Sequence, residues 1–285
     1  MSTRKPGGHP ARAAQAEDAR EARRARAAAM RQRELARERS RRVLLISVAV
    51  VVVLVLVAVV AVVVDRSRGD EVAAGTGTPP GVTADDGGYV LPGTPAAGAP
   101  TLDIWLDYQC PVCKQFEDVS GEVYPQLAAE GRARVVVHTL SFLDANLGND
   151  SSSRAAQGAA AAAAQGRFVE YTQEVFANQP EQEGEGYTDD QLEQFAKDAG
   201  VADTATWRRQ LDDRTWQGFV ERVQGAMSDQ GVSGTPTVVL TAADGTKQNI
   251  SQPTSGGGDG SLAQLLGADG ARFLTDAVAA ATRAS

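Results

Sequence analysis

The sequence predicts an α/β domain carried on a single transmembrane helix. Three observations lead there. Residues 43–64, "VLLISVAVVVVLVLVAVVAVVV", are 22 residues without a charge. Residues 101–140 run strand-like, helix-like and strand-like with short turns between, as in a βαβ unit whose strands are parallel. About ninety residues of helical pattern then separate that unit from another strand, "TVVLTA".

The apolar run is read first because it divides the chain. At 1.5 Å per residue its 22 residues span roughly 33 Å, enough for a hydrocarbon core of about 30 Å. It is rich in valine, a modest helix former in water, but in lipid the backbone has no partner other than itself. A cleaved signal peptide would begin nearer the start and end at small residues, whereas 42 residues precede this run and "VVVDRSRGD" ends it. Residues 1–42 carry 13 Lys and Arg against 5 Asp and Glu, a net of +8; the chain totals −8, so residues 43–285 carry −16. That asymmetry places the basic arm in the cytoplasm and the acidic remainder outside the plasma membrane, as a single-pass protein. The arm is read as a topology determinant weakly attracted to anionic lipid, and the acidic outer part does not suit nucleic acid.

Residues 65–87 are rich in Gly, Thr, Ala and Pro, with little to bury, and read as a flexible tether. Residues 88–285 then suit one domain. "GGYVLPG" fits a short edge strand. In "APTLDIWLDY" Leu102, Ile104 and Leu106 alternate with Asp103, Trp105 and Asp107, which is strand periodicity. Pro111 suits a first helical turn, and Phe116, Val119, Val123 and Leu127 continue one helix until Gly131. "RARVVVHTLSFLD" is the next strand. In the helical stretch, Thr188 and Gln191 form a capping-box pattern ahead of Leu192, Phe195 and Ala196. Trp207, Leu211, Val220, Val223 and Met227 mark one longer helix or two. Asp244-Gly245 closes a hairpin after "TVVLTA", and Phe273, Leu274, Ala277, Val278 and Ala281 lie on a last helix.

The chain's only cysteines, Cys110 and Cys113, stand at the first strand-to-helix junction. A structural zinc site needs four ligands, and only His138 remains on the same side of the membrane, since His9 lies in the arm. A c-type haem needs His after the second cysteine, where this chain has Lys114. No metal is therefore expected. As a staple, so short a loop constrains the unfolded chain little. A helix N-terminus, however, favours a thiolate. Cys110 is thus expected to be the exposed, activated thiol, and Cys113, one turn inside, the resolving one. His138 is read as structural. Asp107 is read as a strand-end surface carboxylate, with a proton acceptor behind the cysteines as the alternative.

At this point the chain resembles a known family. "DYQCPVCKQFE" after a strand, a long helical insertion at about 146–230, and "GVSGTPT" before a strand look like the DsbA-like thiol–disulfide oxidoreductases of the thioredoxin superfamily. The resemblance covers roughly residues 88–285. It implies a thioredoxin-like fold with a DsbA-type helical insertion. It also implies a cis-proline loop at Thr235-Pro236 facing Cys110, with the Thr235 backbone pairing a substrate segment. Where the strongly oxidising bacterial enzyme carries His between its cysteines, this chain has Val112, which offers the Cys110 sulfur no hydrogen bond.

The resemblance further implies a disulfide-forming oxidase acting on reduced secreted and envelope proteins. It would use no cofactor beyond its own Cys110–Cys113 disulfide, and a membrane oxidant of the DsbB or vitamin K epoxide reductase-like kind would recycle it. The same chemistry run as a reductase or isomerase is the alternative, and a non-catalytic envelope scaffold is a third reading.

Overall fold

The computed structural model describes residues 77–252 and 261–283. The basic arm at 1–42, the expected span at 43–64, the tether up to residue 76 and residues 253–260 of the glycine-rich loop lie outside the described residues. Among the described residues no helix is long and apolar enough to cross a membrane. The tether expected over 65–87 is docked on the domain where it is described. Arg222 donates to the Gly77 carbonyl at 3.3 Å and to Thr78 Oγ1 at 3.1 Å, and Val82 bridges to Tyr89.

A five-stranded mixed sheet forms the centre, in the order β1-β3-β2-β4-β5. Edge strand β1 (Tyr89–Val90) runs antiparallel to β3 (Arg134–Leu140), which lies parallel to β2 (Thr101–Asp107) as the βαβ reading requires. On the other side of β2, β4 (Thr237–Thr241) is antiparallel and leads through the Asp244-Gly245 turn into β5 (Lys247–Asn249). Leu102, Ile104 and Leu106 are buried as the alternation predicts, but Trp105 and Asp107 are buried as well. The end of β2 nearest the cysteines is covered on both faces, so alternation fails there.

One helix was expected from the cysteines to Gly131, and the structure divides it. Helix α1 (Pro111–Ser120) ends at Gly121 and α2 (Val123–Ala129) follows. Pro125 has no N–H to offer the preceding turn, so a continuous helix would lose a hydrogen bond there. Gly121 N donates to the Glu117 carbonyl at 2.8 Å, in a place where a Cβ would stand 2.5 Å from that oxygen. The buried face of α1 also differs from expectation, since it consists of Cys113, Phe116, Glu117 and Ser120.

The insertion comprises α3 (Leu143–Leu147), α4 (Ser151–Ala163), α5 (Phe168–Ala177), α6 (Asp189–Asp198), α7 (Thr204–Asp212) and α8 (Gln217–Asp229). The alanine-rich α4 is its hub and packs against α5, α6, α7 and α8. Small side chains let neighbours approach closely: a Cβ on Gly158 would meet Tyr171 Oη at 2.2 Å, and Trp207 Nε1 donates to the Gly158 carbonyl at 2.8 Å. Buried Arg154 forks onto Asp189 and also donates to the Leu211 carbonyl at 2.6 Å, so none of its buried charge is left unpaired. The Thr188–Gln191 capping box is present, and the stretch containing Trp207 and Met227 is two helices, α7 and α8. After the sheet, short α9 (Ser261–Leu266) precedes α10 (Gly270–Arg283), which packs on α1, α2 and β4 through Leu274 and Val278.

Candidate active site

The cysteine turn is built by the end of β2. Its last residue, Asp107, lends its carbonyl to Cys110 N at 3.0 Å, closing a tight turn that hands the chain to α1. Cys110 is the N-cap, with φ −78° and ψ 117°, and Pro111 opens the helix where a missing N–H costs nothing. The Cys110 carbonyl accepts the first helical bond, from Lys114 N, at 3.2 Å. One turn on, Cys113 is wholly buried.

Cys110 was expected to be exposed, and the structure corrects this: only 7% of the residue is accessible. The cover comes from the loop before β4. Thr237 of β4 lies opposite Trp105 of β2, so the residues just before β4 fall beside the end of β2. The Thr235-Pro236 peptide bond is cis, and the Cys110 thiol donates to the Thr235 carbonyl at 3.4 Å. The Thr235 hydroxyl is buried and has no partner among the described residues.

The two thiols are free and electrostatically unequal. The Cys113 thiol, by hydrogen bonding to the Cys110 sulfur, lowers the Cys110 pKa to about 6 against the opposing effect of burial. The N–H groups of Cys113 and Val112 lower it further. Cys113 is pushed well above the ordinary thiol range, first by burial, then by its bond to Cys110 and by that residue's charge. At pH 7 a thiol of pKa about 6 is about nine-tenths thiolate, so the pair holds one thiolate and one thiol. Val112 is half-buried against the apolar core and brings no polar group to the sulfur.

Asp107 is not the surface carboxylate expected of a strand end. It is fully buried and accepts hydrogen bonds from Ser152 Oγ at 2.5 Å, Gln109 N at 3.0 Å and Leu143 N at 3.1 Å. Burial raises its pKa to about 7, with those donors working in the opposite direction. The insertion makes the difference, because α3 and α4 close over the end of β2. His138 is structural, as read. Its ring stacks on Trp105 with centroids 3.7 Å apart, and Nε2 lies 3.4 Å from Asp103 Oδ1, toward the start of β2.

Several residues near the cysteines escaped the sequence reading. Glu117 lies one helical turn beyond Cys113 on the buried face of α1, and burial raises its pKa to about 8; Tyr124 Oη donates to it at 3.0 Å. Its spacing of four from Cys113 was the available signal. Gln109 Nε2 lies within 2.9 Å of acceptors on Asp144, Asn149 and Ser152, and Gln179 and Tyr187 reach the turn from the insertion. Nothing in their local sequence pointed to this. Among the described residues no group of three His, Cys, Asp or Glu side chains is placed to hold a metal ion.

A family model described as thioredoxin matches residues 86–252. Among solved structures the chain is similar to oxidised BdbD from Bacillus subtilis at 19% identity and a TM-score of 0.53, covering 74% of this chain and 98% of that one. It is also similar to MdbA, a thiol-disulfide oxidoreductase from Corynebacterium diphtheriae, at 20% identity and a TM-score of 0.51, covering 68% of this chain and 94% of that one. The MdbA of Actinomyces oris aligns at 20% identity with a TM-score of 0.50, covering 66% and 88%. At such identities the likeness is one of fold. No curated protein matches the sequence.

Proposed function

The chain belongs to the thioredoxin family, and on that premise we propose that it is an extracytoplasmic thiol–disulfide oxidoreductase that forms disulfides in secreted and envelope proteins through Cys110 and Cys113. The observation that carries this reading is the unequal pair at the α1 N-terminus, a thiolate-prone Cys110 under the Thr235-Pro236 loop and a buried thiol at Cys113.

The reaction starts from the Cys110–Cys113 disulfide. A substrate thiolate attacks Cys110 Sγ, the enzyme S–S bond breaks, and Cys113 leaves and takes a proton. The substrate's second thiolate then attacks its own sulfur in the mixed disulfide and expels Cys110 as a thiolate. Two electrons pass to the enzyme, and the substrate's two thiols become one disulfide. The lowered pKa of Cys110 favours this direction, because a stable leaving thiolate stabilises the reduced enzyme and makes its disulfide more oxidising. The buried thiol of Cys113 is withheld from outside partners.

Residues 43–64 would anchor the domain outside the plasma membrane, with the basic arm cytoplasmic, in a compartment where disulfides persist. The disulfide itself carries the electrons, so no further cofactor is needed. A quinone-linked membrane protein of the DsbB or vitamin K epoxide reductase-like kind would reoxidise the pair. A Cys113→Ala chain expressed in cells should accumulate mixed disulfides on Cys110, read as adducts that a reductant dissolves; their absence would remove the proposal. The redox potential decides direction. A Cys110 pKa near 6 lies between the values of thioredoxin, about 7, and DsbA, about 3.5, so a potential between about −270 and −120 mV is expected. A value at or below that of thioredoxin would favour the reductase reading.

A further inference from the structure

Two carbonyls of the cysteine turn are held by side chains of the insertion. Gln179, just beyond the end of α5, donates through Nε2 to the Tyr108 carbonyl at 2.8 Å and to the Cys110 carbonyl at 3.2 Å. A side-chain amide nitrogen carries two hydrogens, so this one group spans two carbonyls of the turn. Tyr187 Oη gives the Tyr108 carbonyl a second donor at 2.8 Å. At the far end of α1, Gln173 in α5 donates to the Gly121 carbonyl at 2.9 Å. Thr172, next to Gln173, bonds the Tyr108 hydroxyl at 2.9 Å, and Phe176, between the two glutamines, packs on its ring. One insertion helix thus straps both ends of the helix that begins with the cysteines.

We propose that Gln179 is the positioning residue for Cys110 and that it sets where the reacting sulfur stands. The Cys110 carbonyl and the Pro111 nitrogen share one peptide plane, and the Cys110 ψ angle relates that plane to the direction of the Cys110 side chain. By holding the carbonyl, Gln179 fixes ψ and so keeps the sulfur against the first N–H groups of α1 and against Thr235. Lys114 N alone, at 3.2 Å, is the first bond of a helix and frays easily. Gln173 makes a bond of the same kind at the other end of α1, where no sulfur stands, and therefore serves as the matched control.

This inference rests on Cys110 being the reacting thiol, but its test reads the Cys110 sulfur whether or not the chain oxidises proteins. In the full-length protein in detergent, the ultraviolet absorbance of the Cys110 thiolate is titrated in the parent and in Gln179→Met, Gln179→Glu and Gln173→Met. The methionine keeps the length and removes both donors, while the glutamate sets a carboxylate against two carbonyls. Both Gln179 variants should raise the titration midpoint by about half a unit or more, and Gln173→Met should leave it in place. Should Gln179→Met fail to fold, Gln179→Ala in the same titration decides, since it removes both donors at a half-exposed position without placing a charge near the sulfur. Parental midpoints in the folded Gln179 variants, or an equal shift in Gln173→Met, would overturn the inference. A Cys113→Ala chain that traps no partner would instead sink the exchange reading and leave the titration result standing.

Discussion

The strand–helix core and the helical insertion treat the same four residues differently. The core touches the sulfurs, with the α1 N–H groups on one side of Cys110 and the Thr235-Pro236 loop on the other. The insertion touches other groups of "DYQC": the Asp107 carboxyl through Ser152 and Leu143, the Tyr108 hydroxyl and carbonyl, the Gln109 amide, and the Cys110 carbonyl. The division teaches that the sulfurs' own contacts and most of the support of the turn come from separate parts of the chain. Changes at the sulfurs should alter chemistry with little effect on stability, changes to the insertion's fully buried polar contacts should chiefly alter stability, and Gln179 on the Cys110 carbonyl is the insertion contact expected to reach the sulfur.

The sharpest way to break this division is at the sulfur itself. Cys110→Ala should abolish thiol exchange entirely and leave thermal unfolding within a degree or two of the parent, measured by insulin reduction and circular dichroism. A chain that keeps full function in cells without Cys110 would instead support the scaffold reading.

The next largest effect lies on the insertion side. Asp107→Ala strands the Ser152 hydroxyl and two backbone N–H groups in a buried site, at a cost of about 3 kcal/mol in urea unfolding. Asp107 and Glu117 also predict a pH slope. Burial raises their folded pKa values from 3.8 to about 7 and from 4.5 to about 8. The folded chain therefore binds more protons than the unfolded one between those limits. Stability is greatest below pH 4 from these two groups and falls as pH rises toward 8. Asp107→Asn and Glu117→Gln should each flatten that fall in urea titrations at several pH values. A slope unchanged in both variants would show that neither carboxyl is its source.

Gly158→Ala tests the insertion away from the cysteines. A Cβ there would meet Tyr171 Oη at 2.2 Å and Trp207 Cζ2 at 2.8 Å, so overpacking should cost about 1–3 kcal/mol. The Cys110 titration should not move, and a shift would mean that α4 strain reaches the site. The smallest expected effect sharpens the core side. Val112→His places a donor beside the Cys110 sulfur and should raise the redox potential by about 30 mV, or about 1.4 kcal/mol, at unchanged melting temperature.

Legibility follows the same division. The sulfur-side features are local in sequence: a strand, "CPVC" at a helix start, and a proline before the returning strand. Chemistry that depends on residues one helical turn apart or on a strand end can be read from spacing, and Cys110, Cys113, Pro111, Thr235 and Pro236 were singled out that way or by resemblance. The parallel β2–β3 pair and the helical identity of the insertion were legible for the same reason, since periodicity and turn residues act within short stretches. Burial was not legible. Asp107 and Cys110 were expected at the surface because a strand end and a helix N-terminus are commonly exposed, and only the closing of α3, α4 and the Thr235 loop over them changed that. The bonds from Ser152, Gln179 and Tyr187 join residues 45 to 79 positions apart. No local pattern encodes such a bond, because its geometry exists only once the insertion has folded back onto the end of β2.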